Sequence, residues 1–279
     1  MARRKLFCEY GPLFYKISTA KEIALRATQN LRSDISFART KSKTHLPCVV
    51  ASHASPIAEE IEGYTLAMHQ DKVHNLTVAA NTLSELIIKP GETFSFWHAI
   101  GNCTKRKGYR TGLMLANGKF IKTSGGSLCL LATHLHNLVL GSPLEVVEVH
   151  HHSDALFPDT KPRVPYEQLG ASVFYNYRDY RFRNNSSQNV QFLLSPTPEF
   201  MRGELRSETQ FPYTYELIEE DHHFAWEGEE CYRKSMIYRN VIERETREAV
   251  DKELLHRLRS KVMYDPAKIP AELFRQMDS

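Results

Sequence analysis

Between Ser124 and Ser153 the hydrophobic period of this chain changes twice, and few folds accommodate that change. Ser124-Gly125-Gly126-Ser127 permits backbone angles closed to most residues and offers candidate helix N-caps. LCLLATHLHNLVLG behind it has the three-and-four spacing of a helix, ending at Gly141 with Pro143 beyond. LEVVEVHHH is then rich in β-branched residues and reads as a strand. A Gly-Gly turn, a Cys-bearing helix and a strand closing on three histidines must be packed together.

The flanking segments supply the rest of such a fold. Leu76, Ala79, Ala80, Leu83, Leu86 and Ile87 recur at helical steps from Asn75 to Ile88, and Lys89-Pro90-Gly91 stops the run. GETFSFWHAIGN predicts a short strand, and GYRTGLMLANGKFIK predicts a hairpin around Asn117-Gly118. Further strands are expected at Ala171–Tyr177 and Val190–Leu194, with a turn at Asn184–Ser187 between them. The expected class is α+β, mostly antiparallel strands packed with a few helices. Three parts are expected: an N-terminal extension over 1–60, an α+β core over 61–200 and a β-rich appendage over 201–279. In that tail RETREAVDKELLHRLRSKV has helical propensity, while MIYRNVIERETREAVDKELL can equally form a hairpin.

Composition removes several functions. The 36 Lys and Arg against 33 Asp and Glu leave a formal charge of +3, too weak a field for backbone-driven nucleic-acid binding. Five widely spaced cysteines, Cys8, Cys48, Cys103, Cys129 and Cys231, form no CxxC pair, so neither a disulfide scaffold nor a zinc ribbon is expected. The start, MARRKLFCEYGPLFYKISTAKE, lacks a signal-peptide apolar core, and no segment holds about 18 uncharged apolar residues. A cytoplasmic protein without a transmembrane segment is expected, with Arg3 and Arg4 in a solvated basic tail rather than on anionic lipid.

The candidate chemistry lies around the turn. Cys129 near a helix N-terminus feels unpaired N–H groups and a partial positive charge that favour thiolate. That field is worth only about 0.3–1 kcal/mol at an exposed site, so a nucleophile would also need an imidazole. An antiparallel strand would carry His150 or His152 toward Cys129, with Asp179 orienting the ring. The same cysteine also reads as a small apolar residue filling space beneath the turn. Zinc on Cys129, His150 and His152 would have suitable ligand types but lacks the usual close ligand pairs apart from His150 and His152 themselves, so no metal and no cofactor are expected. Trp97, Tyr109, Phe120, Tyr175 and Tyr177 read first as core aromatics and second as the walls of a groove for a sugar or peptide.

Taken in order, HNLTVAANTLSELIIKPGETFSFWHAIG, KGYRTGLMLANGKFIKTSGGSLC, LEVVEVHHHS and DYRFRNNS resemble the VanW family. By position the resemblance places a substrate-binding turn on Gly125, Gly126 and Ser127, a cysteine on Cys129, a histidine motif on His150, His152 and Ser153, and a tyrosine on Tyr109. Two positions depart from the family pattern: Ser127 stands where a third glycine is usual, and Leu130 where glutamine is usual. Because LGASV lacks the acid often found before the third strand, Asp179 is the nearest substitute. The resemblance implies an accessory protein linked to vancomycin-type resistance or peptidoglycan, with a wall precursor or cell-wall protein as partner. It leaves the activity open between a thiol enzyme acting on an acyl or peptide bond and a binding module. It also favours a hairpin over a helix between Met236 and Leu255.

Overall fold

A computed structural model describes residues 7–57, 64–116, 119–155, 158 and 169–275. Helix α1 (Pro12–Arg32) begins at a proline, whose missing N–H is an orphan at that position anyway. Strands β1 (Thr40–Lys41) and β2 (Cys48–Pro56) follow it. Thr65 then accepts a hydrogen bond from Met68 N and caps α2 (Leu66–Leu83).

The predicted helix from 75 to 88 is divided by the structure. Ser84 turns extended, Glu85 takes φ 68°, and Leu86–Ile88 form β3, buried throughout. An apolar run short enough to be one helical turn serves as well as a central strand, and periodicity alone does not separate the two. Similarly, Thr93–Ser95 form β4, but Ser95 then caps the one-turn helix α3 (Phe96–Ile100), so Phe96 and Trp97 are helical rather than extended. The hairpin is present as β5 (Thr111–Ala116) and β6 (Lys119–Ser124), pairing Ala116 with Lys119. The Asn117-Gly118 turn itself lies outside the described residues.

Helix α4 (Leu128–Leu140) carries Cys129 and ends at Gly141, as predicted. Strand β7 (Glu145–Glu148) stops before the histidines, and β8 (Asp154–Ala155) follows them. Residues 171–177 make only isolated bridges and a turn rather than the predicted strand. Strands β9 (Arg181–Arg183), β10 (Val190–Pro196) and β11 (Phe200–Ser207) come next. In the tail, β12 (Tyr213–Glu227), β13 (Glu230–Glu243) and β14 (Ala249–Val262) form a long antiparallel meander, whose β13–β14 pair is the hairpin favoured over a helix between Met236 and Leu255.

The main sheet has the order β1-β3-β10-β11-β2, all antiparallel, so it draws strands from both before residue 60 and after residue 200. Helices α2 and α4 cover one of its faces. Beside them the small sheet β4-β9-β7 packs Phe94 and Phe182 face to face at 5.0 Å, with Phe192 edge-on to both. The meander joins this body through β8, which pairs in parallel with β14. The architecture is α+β.

Candidate functional site

Two glycines make the turn before α4 possible. Gly125 sits at φ 69°, and a Cβ there would lie 2.3 Å from Cys103 Cβ. Gly126 packs backbone against backbone, since a Cβ would meet the Gly112 carbonyl carbon at 2.3 Å. Ser127 follows at φ 74°, the left-handed region in which a side chain is strained, and its Oγ donates to Leu113 O at 3.2 Å. The glycine of the family pattern would adopt that angle without strain.

Asn75 of α2 clamps this turn. Its Nδ2 donates to Arg110 O (3.1 Å) and Gly126 O (3.3 Å), and its Oδ1 accepts from Arg110 N (2.8 Å). The side chain is fully buried. Sequence reasoning missed it, although an asparagine in phase with the core positions Leu76 and Ala79 was a signal that a buried polar partner was needed.

The turn forms one wall of a cleft of about 300 Å³. Trp97, Tyr175 and Tyr177 form another wall, and Tyr15, Thr19 and Ile23 of α1 cover it. A larger, shallow hollow of about 690 Å³ lies on the main sheet beside Glu85, Arg202 and Glu204 and holds none of the predicted residues.

Cys129, the second residue of α4, lines the cleft, and its thiol donates to Val173 O at 3.8 Å. Burial pushes this thiol above its ordinary pKa, and hydrogen bonds from backbone groups only partly offset it. Among the described residues no hydrogen bond joins Cys129 to His150 or His152. Cys103 lines the same cleft; burial raises its thiol to about 11, against a smaller opposing effect of its hydrogen bond with Tyr109. Tyr109 is buried with its phenol pKa raised, chiefly by burial.

The histidines lie at a seam. Between β7 and β9 a register shift separates Val146 from Glu148, so simple alternation along the strand does not hold. His150 Nε2 bonds Glu148 Oε1 at 3.0 Å, and its carbonyl accepts from Ser172 N at 2.6 Å. His152 lies against Gly170, its pKa lowered by burial. Ser153 is exposed, and its carbonyl accepts from Lys261 N of β14 at 2.8 Å.

Asp179 is engaged elsewhere. It accepts from Ser95 Oγ (2.5 Å), Trp97 N (3.0 Å), Tyr180 N (2.9 Å) and Arg181 Nε (2.7 Å), which holds α3 against β9. Glu148 is the hub that sequence reasoning overlooked. It accepts from Arg26, His150 and Asp179 N; burial alone would raise its pKa, but these donors together lower it.

The structure thus brings Gly125, Gly126, Ser127, Cys129, Trp97 and Tyr175 to one cleft and leaves Asp179 and Ser153 in structural contacts outside its lining. The arrangement offers an aromatic and backbone-lined recess with two thiols whose pKa values burial raises. Among the described residues there is no cluster of three or more His, Cys, Asp or Glu able to hold a metal ion.

A family model described as VanW like protein matches residues 71–206, which span the Asn75 clamp, the turn, Cys129 and the histidine seam. The chain is 27% identical over 228 residues to vancomycin B-type resistance protein VanW of Enterococcus faecalis, 82% of each chain being covered. It is 28% identical over 129 residues to uncharacterized protein YoaR of Bacillus subtilis, covering 46% of this chain and 40% of that one. No solved structure matches it. On the strength of residues 71–206, and of a likeness to VanW that runs well beyond them, the chain belongs to the family of VanW-like proteins.

Proposed function

We propose that this protein is an accessory factor in vancomycin-type resistance that holds a peptidoglycan-precursor fragment in the cleft beside Cys129 without cleaving it. The observation that carries this reading is the setting of the thiol: Cys129 Sγ donates to the Val173 carbonyl rather than meeting an imidazole, and burial pushes its pKa up. A cleft of about 300 Å³ lies at the small end of ligand sites, and Trp97, Tyr175 and Tyr177 suit the apolar face of a sugar or a short peptide. The link to resistance rests on the similarity to the Enterococcus protein of that name.

The rival reading makes Cys129 the nucleophile of an acyl-transfer enzyme, favoured by its place on the first turn of α4. One pair of measurements separates them. Calorimetric titration with soluble muramyl pentapeptide is expected to show binding that survives in Cys129→Ala and weakens about tenfold or more in Trp97→Ala. Iodoacetamide near neutral pH is expected to modify Cys129 more slowly than the half-buried Cys48. Faster modification of Cys129, together with cleavage of the peptide, would overturn the binding reading in favour of the enzyme.

A further inference from the structure

Helix α1 has two faces of different character. Tyr15, Thr19 and Ile23 line the cleft, Arg26 pairs with Glu148, and Asn30 Oδ1 accepts from Arg181 Nη2 at 2.9 Å. At 100° per residue these five positions fall on one stripe. Leu13, Ile17, Lys21, Thr28 and Leu31 fall on the opposite one. The apolar residues of that outward stripe are exposed: Leu13 is 65% accessible, Ile17 49% and Leu31 86%. At its N-terminal end Phe7, Tyr10 and Phe14 add exposed rings, with Phe7 edge-on to Phe14 at 5.0 Å. Nearly half of the large hydrophobic side chains exposed in the described residues lie between Phe7 and Ile35.

Charge identifies what such a face fits. Residues 1–33 carry seven Lys and Arg against two Glu, whereas the other 246 carry 29 against 31. In the sequence, the excess positive charge of the chain is therefore concentrated in the same segment as these exposed apolar side chains. Exposed Lys21 lies on the outward stripe itself, and exposed Lys16 and Arg32 lie to either side of it. A protein partner would need an apolar groove with an acidic rim; an anionic bilayer offers both over any area without shape matching. Among the described residues no helix is long and apolar enough to cross a membrane.

We infer that the outward face of α1 docks on an anionic phospholipid surface, burying Leu13, Ile17 and the Phe7–Phe14 rings at the interface while Lys16 and Lys21 meet the headgroups. The inward face of the same helix covers the cleft, so docking would hold the cleft cover against the bilayer. This inference is independent of what the cleft binds.

The test is co-sedimentation of the full chain with phosphatidylcholine vesicles containing roughly 30% phosphatidylserine. Binding is expected there, at least tenfold weaker on pure phosphatidylcholine, and weakened by salt that shortens the Debye length from ~10 Å toward ~3 Å. Leu13→Asp/Ile17→Asp should abolish binding, and Lys16→Gln/Lys21→Gln, which keeps helical propensity and every apolar contact, should weaken it several-fold. Circular dichroism checks that each variant is folded. No binding to the anionic vesicles, equal binding to the neutral ones, or an unchanged affinity in the lysine variant would overturn the inference. So would sedimentation equilibrium showing that the outward face instead joins two copies of the chain with no affinity for vesicles.

Discussion

At the scale of single residues, the site depends on groups that never touch a ligand. Gly126 approaches the Gly112 backbone too closely to tolerate a side chain, a Cβ at Gly112 would crowd the Gly126 carbonyl at 3.0 Å, and Asn75 hydrogen-bonds the backbone at Arg110 and Gly126. Asn75→Ala would leave Arg110 N and the Gly126 carbonyl buried without this partner, a cost of about 2–3 kcal/mol. Urea denaturation should show that loss with an unchanged m value; a loss under about 0.5 kcal/mol would mean that the turn holds itself. None of this is visible in the Gly-Gly dipeptide, because spacing shows which residues permit a turn but not which distant side chain secures it. Cys129 illustrates the same limit. Its place at a helix start is legible in LCLLATHLHNLVLG, whereas its partner, the Val173 carbonyl, lies 44 residues away in sequence.

At the scale of elements, α1 is held by polar contacts: the Arg26–Glu148 pair, Asn30 with Arg181, and Asn176 Nδ2 donating to Ile23 O at 3.2 Å. Its outward apolar residues contribute nothing to that packing, so α1 should open locally at low cost. Removing one anchor should therefore uncover the cleft before the rest of the fold is disturbed. In Arg26→Ala the rate of Cys129 alkylation should rise by about 3- to 10-fold, while the free energy of global unfolding falls by only about 1 kcal/mol. Mass spectrometry of the alkylated peptide reads the rate, and an unchanged rate would show that α1 is not the cover.

At the scale of the whole molecule, buried histidines sit where the layers meet. His134 of α4 bonds Ser55 Oγ of β2 at 3.0 Å. His136 meets the Tyr180 hydroxyl at 3.4 Å and stands 5.8 Å from His151, whose ring lies 4.2 Å from His256 of β14. Burial lowers the pKa of His134 and His136 to about 3 and of His151 to about 4, and neighbouring imidazoles add to each shift. Because these rings stay neutral in the fold but take a proton near pH 6.5 when unfolded, the unfolded state binds more protons below that pH. Stability is thus complete above about pH 6.5 and falls as pH drops toward 3 to 4. Each ring should cost about 1 kcal/mol per pH unit in that window, several kcal/mol in all by pH 5.5. Denaturation midpoints at pH 7.5 and 5.5 check this, and His136→Phe should flatten the dependence; equal midpoints would count against neutral buried rings.

The sequence by itself determined those elements whose pattern is local: α4 with its Gly-rich entry and Gly141 exit, the β5–β6 hairpin, β10, and the α+β class. It also carried the family likeness, since ordered motifs such as PGETFSF and GYRTG are read without coordinates. Only tertiary structure decided the rest. Leu86–Ile88 became a strand because β10 and β1 flank it on either side. The tail became a meander because 14-residue strands satisfy one another's backbone groups, which outweighs a helical propensity of tenths of a kcal/mol per residue. Asp179 was drawn to Arg181 and Ser95, the nearest donors once β9 paired with β4. The triple histidine, so conspicuous as a motif, is divided by its packing: His150 turns to Glu148, His151 to the buried imidazoles and His152 to Gly170. Adjacent residues on an extended backbone point in opposite directions, and what each one meets is set by elements far away in the chain.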